Sequence, residues 1–215
     1  MTKLSSVWQQ ENQETWSAIM AHPCVHKLGR GTLGLDQMGR FISQDAQYLN
    51  KFSRVLTIAA AKASCFDWKQ ILEFHSQNVL AVEDQLHHRL APILEVPIAG
   101  SKPLPITIAY TDHLLRIARS GTFAEIIAAV LPCYWTYREI GRHLGTQEMP
   151  DNSIFRDWIE TYQDAAYRQA VTEILEIADA LEDSKDCHIA FARSLRYEYG
   201  FWSQAYDPNY SSGLR

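Results

Sequence analysis

The sequence lacks both a long hydrophobic run and a surplus of positive charge. A membrane-spanning helix needs about 20 consecutive apolar residues, and no segment of the 215-residue chain comes near that length. Asp and Glu number 25 against 20 Lys and Arg, which gives a formal net charge of −5. Because nucleic-acid binding needs a basic surface, this composition argues against a nucleic-acid partner. The first residues also lack the apolar core of a secretory signal, so we expect a cytoplasmic protein without a membrane anchor.

Cysteine and glycine are both scarce. The four cysteines are widely spaced and form no C-x-x-C pair, which argues against a zinc ribbon and against a disulfide scaffold. There are only 10 glycines, and the chain has neither a low-complexity tract nor a long internal repeat. Alternating runs of β-branched residues are missing as well, whereas apolar residues recur with the period of an α-helix. The sequence therefore predicts an all-α protein.

The helical pattern predicts a bundle of seven to eight helices in a single domain, residues 1–215. Residues 22–34 (HPCVHKLGRGTLG) are predicted to form a glycine-rich loop, and residues 96–105 (VPIAGSKPLP) a proline-rich connection. The predicted helices cover about 4–20, 36–62, 67–91, 106–119, 122–144, 153–168, 170–182 and 185–206.

Three of these helices have a recognisable start. Asp36 is a candidate N-cap of the second helix. The T-x-x-E pair of Thr122 and Glu125 predicts a capping box at the start of the fifth. Asn152 or Ser153 is expected to cap the sixth.

Acidic side chains interrupt two helix faces that are otherwise apolar. Asp45 lies on one face of the second helix with Phe41, Tyr48 and Phe52, because their spacings match the helical period. Glu198 has the same position on a face of the last helix. Acidic side chains are rarely buried without a partner, so both residues need an explanation.

A cysteine and three tyrosines occupy comparable inward positions in other helices. Cys133 and Tyr137 are four residues apart in the fifth helix and face inward together, while Tyr110 and Tyr162 lie on apolar faces of the fourth and sixth. Taken singly, each is an ordinary core residue, and the acids would be bound by tyrosines or by an arginine such as Arg196. Taken together, they predict a polar aromatic pocket suited to a flat heteroaromatic ligand.

Pro132 stands in the middle of the fifth predicted helix, directly before Cys133. A proline there removes one backbone hydrogen bond and costs about 3 kcal/mol. Because it cannot donate to the carbonyl of Ala128, the helix is expected to bend near Leu131 and to displace Cys133 toward the cavity. The alternative is a tolerated kink with no chemical role.

Five motifs follow one another in fixed order, and the Pro-Cys pair before an aromatic cluster is the most distinctive of them. They are FISQDAQYL (41–49), AYTDHL (109–114), LPCYWTYREIG (131–141), DWIETY (157–162) and YEYGFWSQAY (197–206). Together they resemble the thiaminase II, or TenA, family, which has a haem-oxygenase-like all-α fold. Ala46 and Gly200 stand where relatives often carry larger residues, so we expect an enlarged pocket edge and a different preferred substrate.

The resemblance implies an aminopyrimidine aminohydrolase of thiamin salvage that hydrolyses 4-amino-5-aminomethyl-2-methylpyrimidine to the hydroxymethyl pyrimidine, with thiamin as a possible second substrate. Cys133 would be the nucleophile, attacking the ring carbon next to the one that bears the aminomethyl group. Asp45 would bind the ring nitrogen and the 4-amino group, and Glu198 would move protons between thiol, leaving amine and water. The aromatic residues in contact with the pyrimidine would be Tyr48, Tyr110, Tyr137, Tyr162 and Phe201. The family needs no metal or cofactor and usually forms homotetramers.

Two other classes of function remain open. The first is a metal-dependent oxidase or a haem protein of the same architecture, although the histidines do not repeat as paired E-x-x-H sites. The second is a non-catalytic pyrimidine-binding protein, which would have no evident use for the thiol. The candidate metal ligands are Glu83 and His87, with His75 and His88 nearby, and the candidate haem ligands are His22 and His26.

Overall fold

The computed structural model describes residues 3–95 and 101–210, apart from the side chains of 80–88. Over this part of the chain the backbone forms helices joined by turns and contains no strand, which confirms the prediction of an all-α protein. The described helices are α1 (Leu4–Glu11), α2 (Gln13–Met20), α3 (Pro23–Gly29), α4 (Leu35–Lys62), α5 (Phe66–Leu94), α6 (Pro105–Ser120), α7 (Phe123–Gly145), α8 (Ser153–Gln163), α9 (Ala165–Asp179) and α10 (Lys185–Tyr206).

The described residues hold ten helices rather than seven or eight, and both additions have a local cause. The first predicted helix is interrupted at Asn12, whose φ of −112° and ψ of 23° are not helical. The segment 22–34, predicted to be a loop, contains α3. Pro23 takes the first helical position, where its missing N–H is no loss. The Cys24 N–H donates to Nδ1 of His22 at 3.1 Å, which caps the helix.

The N-cap prediction is wrong for α4 and confirmed for α7. Gly34 rather than Asp36 is the N-cap of α4, and its N–H donates to Oε1 of Gln37 at 3.0 Å. Thr122 and Glu125 form the predicted capping box of α7, because each backbone N–H donates to the side chain of the other at 3.2 Å.

The start of α8 is also confirmed, but its end lies earlier than predicted. Oδ1 of Asn152 accepts from the Ile154 N–H at 2.9 Å and caps α8. The helix ends at Gln163 because Asp164 caps the next one, with its Oδ1 accepting from the Ala166 N–H at 2.7 Å. None of the described helices is long and apolar enough to cross a membrane.

Pro132 lies inside α7, and the helix continues through it. The proline is buried, and its carbonyl accepts a hydrogen bond from Oγ1 of Thr136 at 2.8 Å. One continuous helix therefore carries both Cys133 and Tyr137.

The helices α4, α6, α7 and α10 surround the part of the core that holds the candidate residues. Each of the four packs against the other three, and α8 packs against α7. Asp45 on α4 and Glu198 on α10 are only 4% and 1% exposed. The structure thus buries both acidic side chains that the helical pattern placed on inward faces.

Two glycines differ in how closely a neighbouring helix approaches them. A Cβ on Gly141 of α7 would lie 2.8 Å from Cβ of Tyr162 and 2.9 Å from its carbonyl oxygen, so α8 packs directly on this glycine. A Cβ on Gly200, inside α10, would meet only the side chain of Ile106, at 3.3 Å. Gly200 therefore leaves no open volume at this position, contrary to the enlarged pocket expected there.

Candidate active site

Glu198 and Tyr110 form a hydrogen-bonded pair in the core. The Tyr110 hydroxyl donates to Oε1 of Glu198 at 2.7 Å. Burial raises the pKa of Glu198 to about 8, the hydrogen bond from Tyr110 opposes this rise, and the negative charge of Asp45 adds to it. The carboxyl group of Glu198 therefore carries its proton at neutral pH and can donate it.

Four buried tyrosines and one half-buried tyrosine lie within electrostatic range of Cys133, which is itself half-buried. Burial raises the pKa of each hydroxyl well above its usual value, and negative charge on the Cys133 sulfur raises it further. These hydroxyls stay protonated at neutral pH and can donate hydrogen bonds. The five are Tyr48, Tyr110, Tyr134, Tyr137 and Tyr167.

Tyr137 lies where the reactive groups meet. Burial is the main cause of its raised pKa, followed by the charges of Glu198 and Asp45 and then by those of Tyr162 and Cys133. Electrostatic effects weaken with distance, so this pattern indicates that both acids and the thiol lie within electrostatic range of the Tyr137 hydroxyl. The three groups face one interior.

Aromatic rings from five helices line this interior. The ring centroid of Tyr48 lies 4.9 Å from that of Tyr110 and 5.9 Å from that of Phe201. The rings of Tyr137 and Tyr162 are 5.0 Å apart. The buried hydroxyl of Tyr48 lies beside that of Tyr110, but within the described residues it makes no hydrogen bond of normal length. Because buried hydroxyls are normally paired, this donor is suited to a ligand.

Three further aromatic residues connect the rings around Tyr48 to the pair formed by Tyr137 and Tyr162. Phe41 lies 6.3 Å from Tyr137 and 5.7 Å from Phe201, measured between ring centroids. Trp158 and Trp202 lie 6.0 and 5.6 Å from Tyr137. These three rings and the five described before them form one continuous group, the aromatic cluster. Its members are Phe41, Tyr48, Tyr110, Tyr137, Trp158, Tyr162, Phe201 and Trp202.

The eight side chains predicted for the site lie on five helices, of which α4, α6, α7 and α10 pack on one another and α8 packs on α7. They are Asp45 and Tyr48 on α4, Tyr110 on α6, Cys133 and Tyr137 on α7, Tyr162 on α8, and Glu198 and Phe201 on α10.

Comparison with known proteins identifies the family. Residues 9–208 match the model of the TENA/THI-4/PQQC family. The chain belongs to this family. It is 35% identical to the aminopyrimidine aminohydrolase of Bacillus subtilis (strain 168), over 95% of this chain and 90% of that protein. It is 27% identical to the aminopyrimidine aminohydrolase of Halalkalibacterium halodurans, over 92% of this chain and 93% of that protein.

Solved structures show the same fold. The TenA homologue from P. horikoshii OT3 superimposes with a TM-score of 0.88 at 25% identity, over 95% of this chain and 99% of that chain. A Shewanella denitrificans domain described as having a haem-oxygenase-like fold gives a TM-score of 0.69 at 12% identity, over 97% of this chain and 92% of that one. The predicted haem-oxygenase-like architecture is therefore confirmed for this member of the TENA/THI-4/PQQC family.

Tyr134 and Tyr167 also surround the thiol of this TENA/THI-4/PQQC member, although neither is predicted from the sequence. Tyr134 follows Cys133 directly, but adjacent helical residues point in different directions, so a stripe of inward positions does not include both. Tyr167 belongs to the first turn of α9, whose start is misplaced in the predicted pattern. Its hydroxyl donates to the backbone carbonyl of Tyr134 at 3.1 Å and links α9 to α7.

A buried hydrogen-bonded chain ends at Tyr134, next to the nucleophile candidate. Nε2 of His75 lies 2.8 Å from Oε2 of Glu173, and Nδ1 of His75 lies 3.2 Å from the Tyr134 hydroxyl. Burial lowers the pKa of His75, and the contact with Glu173 opposes the change. Because the carboxylate can only accept, Nε2 carries the proton and Nδ1 accepts from Tyr134. The chain fixes the orientation of Tyr134 across α5, α7 and α9.

The candidate metal and haem ligands that the structure describes are engaged or exposed. In His22, Nδ1 accepts from the Cys24 N–H and Nε2 lies 3.1 Å from Oγ of Ser203. His75 has partners at both ring nitrogens, and His26 is exposed. In the described part of the chain, no group of three His, Cys, Asp or Glu side chains is positioned to hold a metal. The remaining candidates, Glu83, His87 and His88, lie outside the described side chains.

The other cysteines differ from Cys133 in their surroundings. Cys24 is buried, and burial raises the pKa of its thiol to about 12. Burial also raises the pKa of Cys187. Cys65 is exposed at the start of α5, outside the aromatic cluster. Cys133 is thus the thiol placed beside both buried acids, and Cys65 is a natural control for its substitution.

Proposed function

We propose that the chain is an aminopyrimidine aminohydrolase of thiamin salvage, which converts 4-amino-5-aminomethyl-2-methylpyrimidine to 4-amino-5-hydroxymethyl-2-methylpyrimidine. One observation carries this proposal: a half-buried thiol, Cys133, and two buried carboxyl groups, Asp45 and Glu198, share an aromatic interior. The relatives named aminopyrimidine aminohydrolase support it, because they match nearly the whole chain. Thiamin is proposed as a second substrate that carries the same pyrimidine.

Cys133 acts as the nucleophile in the proposed reaction. Its sulfur forms a bond to the ring carbon next to the one that bears the aminomethyl group, and the thiol proton passes to the adjacent ring nitrogen. Asp45 binds the 4-amino group and the other ring nitrogen, which lies beside it, and stabilises the positive charge that develops on the amino nitrogen when the amine departs. The addition breaks the aromaticity of the ring and prepares the departure of the amine.

Glu198 supplies the proton for the second step. Electrons from the 4-amino nitrogen expel the amine from the exocyclic carbon, and the amine takes the proton that Glu198 carries at neutral pH. Water then adds to the exocyclic carbon and returns a proton to Glu198. The bond between carbon and sulfur breaks, the ring nitrogen gives its proton back to the thiol, and the ring regains its aromaticity.

The aromatic cluster gives the ring its binding surface. The faces of Tyr48, Tyr110, Tyr137, Tyr162 and Phe201 suit a flat heteroaromatic ring, and the buried Tyr48 hydroxyl offers a hydrogen bond to it.

The decisive experiment follows product formation by mass spectrometry. Wild type, Cys133→Ala and the control Cys65→Ala are each incubated with the aminomethyl pyrimidine and, separately, with thiamin. We expect wild type and Cys65→Ala to release hydroxymethyl pyrimidine and Cys133→Ala to release none, while Cys133→Ala still binds the pyrimidine in a calorimetric titration. Normal turnover by Cys133→Ala would rule out the nucleophilic mechanism, and binding without turnover by wild type would indicate a pyrimidine-binding protein.

We also propose that the chain forms a cytoplasmic homotetramer, as the family resemblance implies. Exposed apolar side chains such as Phe66 and Phe74, 69% and 62% exposed, support burial in an assembly. Light scattering coupled to size-exclusion chromatography should give a mass four times that of the 24.6 kDa chain. A monomer mass would contradict the proposed assembly without affecting the chemistry.

A further inference from the structure

A second concave region lies outside the reactive residues, where the end of α7 meets α8 and α9. It is a surface cleft of about 590 Å³. Its polar lining is rich in hydrogen-bond donors, and Tyr162 forms part of its wall. The polar residues that matter here are Arg138, Arg142, Arg168, Gln163, Thr146 and Thr172.

The cleft concentrates positive charge on a chain whose net charge is −5. Three arginines line it against one acidic residue, Glu139. Oε1 of Glu139 lies 3.0 Å from Nη2 of Arg138, and Oε2 lies 2.8 Å from Nη2 of Arg142. One carboxylate therefore holds two guanidinium groups in place without cancelling their charge. Arg168 adds the third, with its Nη1 donating to the backbone carbonyl of Gln163 at 2.7 Å.

Gln163 provides an independent indication of a ligand. Gln163 is one of the residues that line the cleft, and its buried Nε2 has no hydrogen-bond partner among the described residues. A Cβ on Gly145 would lie 1.7 Å from this nitrogen, so the glycine makes the space that the amide occupies. Buried amide donors are normally paired, and a bound anion that draws the Gln163 side chain toward the arginines would pair this one.

We propose that this cleft is a binding site for a phosphate dianion. Guanidinium groups match the geometry of phosphate oxygens and bind them through paired hydrogen bonds. The phosphate has two possible sources, an ester on a pyrimidine or thiamin compound and free inorganic phosphate. The cleft and the aromatic cluster share Tyr162 as a common wall, since its ring lies 5.0 Å from that of Tyr137, so a phosphate ester of the pyrimidine is one of the two sources to test.

The test measures binding by calorimetry and does not depend on turnover. Inorganic phosphate is titrated at low ionic strength into wild type, Arg142→Gln, the double variant Arg142→Gln/Arg168→Gln, and the control Arg54→Gln, which removes an exposed arginine of α4. We expect Arg54→Gln to match wild type, and the double variant to lose about tenfold or more in affinity, with Arg142→Gln in between. Equal affinity in wild type and the double variant, or no phosphate binding by wild type at millimolar concentration, would overturn the proposal.

A second titration identifies the source of the phosphate. Thiamin monophosphate and thiamin are titrated into Cys133→Ala and into the same protein carrying Arg142→Gln. Tighter binding of the monophosphate that disappears with Arg142→Gln assigns the cleft to a phosphate ester. Equal binding of the two compounds, together with binding of inorganic phosphate, assigns it to free phosphate. If thiamin binds but no phosphate compound gains affinity and inorganic phosphate does not bind, the cleft proposal fails while the proposed function stands.

Discussion

At the scale of single residues, the protonation state of Glu198 is the property that most directly links geometry to chemistry. Its carboxyl group is buried, and its pKa is raised to about 8, so it holds a proton under the conditions in which the leaving amine needs one. The neighbouring Asp45 contributes to that rise through its negative charge. In the proposed mechanism the two acids therefore take different roles, Glu198 as a proton donor and Asp45 as the group that binds the ring.

The pH dependence of turnover should report this proton. If Glu198 is the general acid, kcat/KM of wild type falls as pH rises above about 8, because the carboxylate that forms there has no proton to give. Glu198→Gln should lower kcat by about 10²–10⁴ and lose this alkaline limb in its residual activity. Glu160→Gln, an exposed substitution on α8, should behave as wild type. A wild-type rate that increases through pH 8 would contradict the assignment.

Asp45→Asn should differ from Cys133→Ala because the proposed role of Asp45 begins at substrate binding. Replacing the carboxylate removes a hydrogen bond to a charged partner, worth about 1.5–3 kcal/mol, so we expect both weaker pyrimidine binding and slower turnover. Cys133→Ala should lose turnover alone. Calorimetric titration of the pyrimidine into each variant separates the two cases, with the exposed Asp112→Asn as control. Wild-type affinity in Asp45→Asn would remove Asp45 from ground-state recognition.

At the scale of helices, the position of α8 depends on one glycine of α7. The backbone of Tyr162 packs where a side chain on Gly141 would be. Gly141→Ala should therefore push α8 outward and destabilise the protein by about 1–3 kcal/mol, with a matching loss of pyrimidine affinity through Tyr162. Urea unfolding measures the first effect and calorimetry the second.

Gly200→Ala is the matched control for this prediction. Its new methyl group would meet the Ile106 side chain at 3.3 Å rather than backbone, and the few tenths of an ångström by which Ile106 must yield are offset by the gain of about 0.5–1 kcal/mol of alanine over glycine inside a helix. We expect stability close to wild type. Equal loss of stability in the two variants would mean that helix packing at Gly141 is not the cause.

Helix periodicity explains why the inward-facing site residues could be predicted from the sequence and why the contacts between helices could not. Asp45, Cys133 and Glu198 were placed on inward faces because the 3.6-residue period is a local property of the chain. The pairing of Tyr110 with Glu198 depends on how α6 and α10 pack, which periodicity does not contain. The helix α3 was not predicted because its cap is the ring of His22, which is held in turn near Ser203 of α10. No local sequence motif predicts a contact between residues so far apart in the chain.

At the scale of the whole molecule, buried titratable groups set opposite trends of stability with pH. Burial lowers the pKa of His22 and His113 to about 4, with nearby arginines adding to the effect at His113. Both are neutral when folded, whereas the unfolded chain binds a proton below about pH 6.5. Stability contributed by these histidines is therefore present above pH 6.5 and is lost as pH falls toward 4.

Glu198 makes stability depend on pH in the opposite direction to the two histidines. Its pKa is raised when folded, so the folded protein holds a proton that the unfolded chain releases above about pH 4.5. Its contribution is present at low pH and is lost as pH rises through about 8, with each pH unit worth about 1.4 kcal/mol. In wild type, this trend partly offsets the loss that the two histidines cause between pH 7 and pH 5.

Removing Glu198 should therefore change the shape of the stability profile. Relative to wild type, the free energy of unfolding of Glu198→Gln should increase by about 3 kcal/mol between pH 5 and pH 8, because the glutamine has no proton to lose. Below pH 6.5 the variant should lose stability more steeply than wild type, since the histidines then act without the offset. Urea unfolding of both proteins at several pH values measures the difference, with Glu160→Gln as the control. A difference that does not vary with pH would mean that Glu198 is already ionised in the folded protein. That result would also contradict the predicted decrease of kcat/KM above pH 8.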